Sequence, residues 1–388
     1  MRRLVFYAVA GWLFLVGGRA FAYPQFQFSS GTTRCAQCHY SPAGGGLITS
    51  WGRDEAGDTI SRGGDGGFLH GAWTPPQWLA LGADVRIAGL YNNSGGPEAP
   101  ERAIFPMQAD AYARFAFNDQ WSLYLEGGIR GDTRPADASI SGRFTTVGDR
   151  LVSAEHYLMW KQGGTGPYAR IGRFFAPFGL RFVEHIFFVQ RYTGQNLYDQ
   201  PYTLSAGWIE EDWEAHLSGF VPPPNGFPQA FQPVDTHESG AAGYYEKRFN
   251  GMAAVGVQAR VGLNSEYSQY TGGLVGKLWI EKGKILLLGE GDLMRKTVGA
   301  GGGENQAVTY LGATVFPARG WMAGISHEFY QEDLSVSGTA RNAFDFEVNF
   351  FPWAHFELLA FARYQFTGTG GPTDPTATLL MLQLHYYL

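Results

Sequence analysis

From residue 78 onward the chain is written in short segments whose side chains alternate apolar and polar, separated by Gly, Asn, Asp and Pro turns. Strand side chains point to opposite faces in turn, so this period marks strands with one apolar and one polar face. In the first segment, 78–91, Leu79, Leu81, Ala83, Val85 and Ile87 share one face, with Asp84 and Arg86 on the other. Further segments fall at about 105–118, 120–130, 151–161, 167–174, 203–209, 212–221 and 239–249. The second half adds about 251–262, 268–281, 284–296, 305–316, 320–331, 343–352, 355–367 and 376–388. That makes roughly sixteen, an even number as bacterial outer-membrane barrels have.

The connections alternate in length. Tight turns follow the even segments, for example Asn118-Asp119, Gly163-Gly164, Asn250-Gly251 and Lys282-Gly283. Those after odd segments are mostly longer: 92–104, 131–150, 175–202, 222–238, 297–304, 332–342 and 368–375, with 263–267 a short exception. Short periplasmic turns and long outer loops predict an all-β chain, a transmembrane antiparallel β-barrel of about 16 strands. Composition agrees: aromatics are 15%, there are 54 glycines, and charged residues are 16%, below the ~25% of a soluble domain. A large soluble sandwich or propeller is the rival, but no fixed-period repeat appears. The last segment alternates strictly to Leu388, similar to the C-terminal strand signal of outer-membrane proteins, which usually ends in Phe.

Residues 1–22 read as a secretory leader. Arg2 and Arg3 precede the apolar run 4–16, and Ala20-Phe21-Ala22 forms an A-x-A cleavage site. Setting aside Arg2, Arg3 and Arg19 leaves 26 basic against 35 acidic residues, a balance of −9, which argues against nucleic acid as a partner. No other apolar run is long enough for a transmembrane helix.

Residues 23–77 carry Arg34-Cys35-Ala36-Gln37-Cys38-His39, and Cys35 and Cys38 are the only two cysteines. C-x-x-C-H is the attachment signature of a c-type haem: the thiols bond the macrocycle and the adjacent histidine ligates its iron. A zinc site would need further Cys or His at ligand spacing, and a thioredoxin-like motif would need a βαβ context. The expected cofactor is therefore one covalent haem c on Cys35, Cys38 and His39, with His39 the proximal iron ligand. For the distal position the segment offers His70. Met159 and His216 are lumen-facing alternatives, while Met107 lies on an apolar face. So Gly-rich a segment can barely bury a core, so it is expected to act as cap or plug on the barrel 78–388.

Inward positions carry both signs, including Asp84, Arg86, Asp110, Arg114, Glu126, Arg130, Glu155, Glu357 and Arg363. Glu290/Asp292 and Asp345/Glu347 could hold a hard cation transiently, although charged lumens are ordinary in porins. Loop 175–202, with Glu184, His185, Tyr192 and Tyr198, is a candidate constriction or surface site. Neither a Ser/His/Asp triad nor a phosphate- or dinucleotide-binding loop appears in a fitting context.

In layout the chain resembles the fused monohaem cytochrome–porins of the outer membrane, best known from iron-oxidising bacteria. Locally the resemblance rests on Pro24-x-Phe26, Cys35-x-x-Cys38-His39, Pro42, Leu47 and Gly52-Arg53. The family's F-A-R-Q-T run is replaced by Phe26-Gln27-Phe28-Ser29-Ser30, which weakens the link to iron oxidation. Residues 171–179 are similar to the G-x-F-x-x-P-F-G segment of phosphate-selective porins. The resemblance implies an electron carrier rather than a conventional enzyme. It would sit in the outer membrane with its haem segment on the periplasmic side or in the lumen. Its partners would be an extracellular reductant such as Fe²⁺, periplasmic cytochromes or other electron carriers, and outer-membrane lipid. A diffusion porin for small solutes or anions, and a haem redox sensor or peroxidase-like protein, are the alternatives.

Overall fold

The computed structural model describes residues 23–95, 99–130, 151–182, 184–195, 200–223, 237–299, 302–368 and 376–388. The leader, Tyr198 and the side chain of Arg130 lie outside them. Sixteen strands, from β1 (Leu79–Asn93) to β16 (Thr376–Tyr387), form one closed antiparallel barrel. Each strand pairs with its sequence neighbours, and β1 closes on β16 in register from Asp84↔Tyr387 to Asn93↔Thr378. Closure leaves no open sheet edge, as a barrel in lipid requires.

All sixteen expected segments are strands. The short connection at 263–267 is genuine: β9 (Ala253–Leu263) turns into β10 (Tyr267–Ile280) at Asn264, whose side chain accepts from the Glu266 and Tyr267 amides, both at 2.8 Å. Between β1 and β2 (Glu101–Ala116) the register slips near Arg86/Ile87, which leaves Met107 unpaired at the bulge.

The outward face is apolar and bare. Ile104 is 86% exposed, and Leu217, Leu293 and Leu382 are about two-thirds exposed. A continuous belt of this kind is a surface for lipid, not water. Trp78, Trp121, Trp208, Trp321 and Trp353 are exposed at or beside the short-turn end, where an aromatic girdle meets the membrane interface.

The inward face is polar yet buried, because two parts of the chain fill it. Residues 23–72 enter from the short-turn end. Arg34 meets Glu211 at 3.1 Å, the Arg62 amide donates to the Phe351 carbonyl at 3.0 Å, and Arg319 donates to the Ser61 and Gly57 carbonyls at 2.6 and 2.7 Å. Deeper, the Tyr23 hydroxyl reaches Glu357, and Gln27 is held between Glu246 and Lys277.

From the opposite end, the loop after β5 (Gly166–Arg173) folds inward. Phe178, Leu180, Phe182, Phe187 and Phe188 are all 2% exposed or less. Phe182 packs on Tyr310 with ring centroids 4.4 Å apart, and Tyr192 stacks on Tyr330 at 3.6 Å. The candidate constriction is thus a lumen-filling loop. Glu290 and Asp292 serve it: Gln258 bonds both, and Glu290 accepts from the Leu180 amide at 2.6 Å. Asp345 has the Arg363 guanidinium as its cation, 3.2 Å away. Among the described residues no cluster of three His, Cys, Asp or Glu side chains is placed to hold a metal ion.

Candidate cofactor pocket

Cys35 to Cys38 form one helical turn, so the two thiols project from the same side of it. His39 leaves that helix in an extended conformation and bridges antiparallel to Ile48, and the Tyr40 amide donates to the Leu47 carbonyl at 3.1 Å. The hairpin turns back through Gly44, Gly45 and Gly46, all at positive φ. Gly46 has a second reason to be glycine, since a Cβ there would lie 2.3 Å from the Tyr124 hydroxyl. Thr49 then caps the helix Ser50–Glu55 and ties it back. Its side chain accepts from the Gly52 amide at 3.1 Å, its hydroxyl donates to the Gln37 carbonyl at 2.7 Å, and its amide donates to the Cys38 carbonyl at 2.8 Å.

This fold places Cys35, Cys38 and His39 on one wall of a pocket of about 980 Å³, its opening to solvent included. The segment supplies one side, with Tyr23, Phe26 and Ile48 among its apolar surface. The barrel seam supplies the other: Ala83, Asp84 and Arg86 from β1 and His385 and Tyr387 from β16.

Both cysteines are free thiols. Burial pushes the Cys38 thiol up to about 12 and holds the His39 imidazole down to about 4, so near neutral pH one is protonated and the other neutral. A neutral imidazole is the metal-ligating form. His39 Nδ1 is moreover buried without a hydrogen-bond partner. A pocket walled by two free thiols and a neutral imidazole, and closed on its other side by the barrel seam, fits a tetrapyrrole bound through C-x-x-C-H.

His70 is not brought to this wall. It is exposed, at φ 56°, with its ring against His355 (4.7 Å between centroids) and its Nε2 3.3 Å from the Tyr386 hydroxyl. The glycine-rich turn 63–71, pinned where Asp65 accepts from the Gly67 amide, carries it out over the turn that ends at His355. As a distal ligand it is out of place. Met159 is buried with Leu47, Tyr112, Tyr124, Tyr157 and Phe174, and does not line the pocket. His216 is engaged by Tyr168 at 2.7 Å and Glu214 at 3.3 Å.

The histidine that does reach the pocket is His385, which sequence reasoning passed over as a strand residue. Its inward alternation with Gln383 was the available signal. His385 Nδ1 lies 2.6 Å from Glu357 and Nε2 3.1 Å from Asp84, so both nitrogens face carboxylates and neither is free for a metal.

Barrel, plug and in-folded loop define a porin-like outer-membrane β-barrel. No family model and no curated protein matches the sequence. Among solved structures the fold is similar to an anion-selective porin from Comamonas acidovorans (12% identity, 80% of this chain and 99% of that one, TM-score 0.58). It is also similar to Pseudomonas putida OprB (11% identity, 85% and 99%, TM-score 0.57) and to the outer-membrane protein OmpT of Vibrio cholerae (11% identity, 81% and 99%, TM-score 0.56). Identities this low report shared architecture alone.

Proposed function

We propose that the chain is an outer-membrane electron carrier. One c-type haem would be held by Cys35, Cys38 and His39 at the short-turn end of the barrel. The observation that carries this reading is the one pocket on whose wall both free thiols and the neutral His39 imidazole meet. When bound, the haem would supply one-electron redox chemistry at an iron whose potential is set by its ligands and surroundings.

The chain's own residues do the rest. The segment 23–72 is too small to bury a macrocycle alone, and the seam residues complete the enclosure. Burial keeps His39 neutral and ready to ligate. The filled lumen separates the two faces of the membrane, so charge rather than solute would cross. Electrons would pass between an extracellular reductant such as Fe²⁺ and periplasmic cytochromes or other carriers.

A diffusion porin for small solutes or anions is the second reading. The solved neighbours favour it, since one is described as an anion-selective porin. The packing of Phe182, Phe187 and Phe188 across the lumen counts against it. Single-channel conductance separates the two: the carrier reading expects little steady ion current, and an open-pore conductance would favour the porin.

A further inference from the structure

A haem carries two carboxylates, and a carboxylate buried without a partner is costly, so a pocket that takes one must offer donors. The charged groups on this wall are Arg34, Asp84, Arg86 and His385. Arg86 is held by Asp84 at 3.2 Å, and His385 lies between Asp84 and Glu357. Arg86 and His385 thus already face two buried carboxylates, Asp84 and Glu357.

Arg34 is different. Its Nη2 contacts Glu211, whose side chain is 77% exposed and therefore a weak, screened partner. Its Nε and Nη1 are buried and have no partner. Arg34 also feels the like charge of Lys161, so an anion beside it would relieve repulsion as well as satisfy donors. It directly precedes Cys35, which keeps its guanidinium within reach of whatever that thiol holds. Each of the Nε and Nη1 N–H groups, on different edges of the guanidinium, can donate a charge-assisted hydrogen bond to a carboxylate oxygen.

Resting on the haem reading above, we propose that Arg34 is the residue that receives a haem carboxylate, through Nε or Nη1. It is a cofactor-positioning residue that also tunes the potential. Removing a positive charge beside the site disfavours the reduced form, which holds one more electron.

The test compares R34Q, R34K and E211Q with the unaltered protein, produced with haem maturation. It reads covalent haem on denaturing gels and midpoint potential by spectroelectrochemical titration. R34Q is expected to keep its thioether-bound haem and lose about tenfold in the reduction equilibrium, which for one electron is about 59 mV downward. E211Q, which removes the outer ion pair but not the buried donors, is expected to leave the potential unchanged. An unchanged potential in R34Q, or an equal shift in E211Q, would overturn the proposal and leave Arg34 a strap to the turn that carries Glu211. Propionate bending bands in resonance Raman spectra give a second reading should R34Q fail to assemble. They are expected to move in R34K, and identical bands would overturn the proposal. Absence of haem from the unaltered protein would instead remove the reading on which the proposal rests.

Discussion

The carbonyl oxygen of Cys38 lies 2.4 Å from where a Cβ on Gly52 would stand. The helix Ser50–Glu55 therefore presses backbone to backbone against the end of the C-x-x-C turn, and only glycine permits the approach. Gly52→Ala must push two backbone segments apart, an overpacking cost of about 1–3 kcal/mol in a segment with little core to absorb it. The expected result is a clear fall in covalent haem per barrel, while heat-modifiable gel mobility, the signature of an assembled barrel, is retained. Haem staining beside that mobility assay reads both.

Cys35→Ala and Cys38→Ala each remove one of the two thiols proposed to hold the haem, without touching a strand. Each variant should lose normal two-thioether attachment and still assemble the barrel, because neither thiol lies in any of the sixteen strands. Loss of barrel assembly as well would mean that plug and barrel fold as one unit.

Lys277 meets Glu246 at 2.7 Å and donates to Gln27 at 2.7 Å, so one buried ammonium ties the plug to the barrel wall. Lys277→Met removes that tie and leaves Glu246 with Arg248 alone as its cation. Breaking a buried pair from one side costs about 3–5 kcal/mol. The plug should loosen, and planar-bilayer recordings should show opening events rarer in the unaltered protein. Equally quiet traces would show that the other contacts hold the plug unaided.

Glu184, on the in-folded loop, is buried with neither carboxylate oxygen hydrogen-bonded. Burial first, then the negative charges of Glu357 and Asp345, push its carboxyl from 4.5 up to about 7, against the opposing pull of Arg86. A raised acid favours the folded state while protonated. Its contribution is full below about pH 4.5 and is lost as pH rises through about 7. Stability against thermal unfolding should therefore fall between pH 5 and 8, by up to a few kcal/mol. Glu184→Gln should flatten that part of the profile. A variant whose melting temperature keeps the same pH slope would assign the effect elsewhere.

The barrel was legible because alternation is local: each strand declares its two faces in its own residues, and alternate turn lengths order them. Strand ends were less so, since pairing continues into loops, as where Glu101 pairs with Asn92 four residues before the expected start of β2. The inward position of charges such as Asp84, Glu126 and Arg363 was legible, but their burial was not, because nothing local says that Phe182 and Phe188 will arrive from a loop to cover them. The same limit governs the pocket. Cys35, Cys38 and His39 are adjacent in sequence and were visible at once. His385 joins them from almost 350 residues away, through the β1–β16 closure. His70 is near in sequence, yet the glycine-rich turn takes it elsewhere.

The most direct measurement is the visible spectrum of the purified outer-membrane protein, produced with haem maturation, before and after anaerobic Fe²⁺, with dithionite as reference. The account predicts a covalent c-type haem band that dithionite shifts to the reduced form. Reduction by Fe²⁺ would identify an iron-accepting conduit, and reduction by dithionite alone would point to another donor. A protein that folds as a barrel yet carries no haem band would contradict the account and leave a porin.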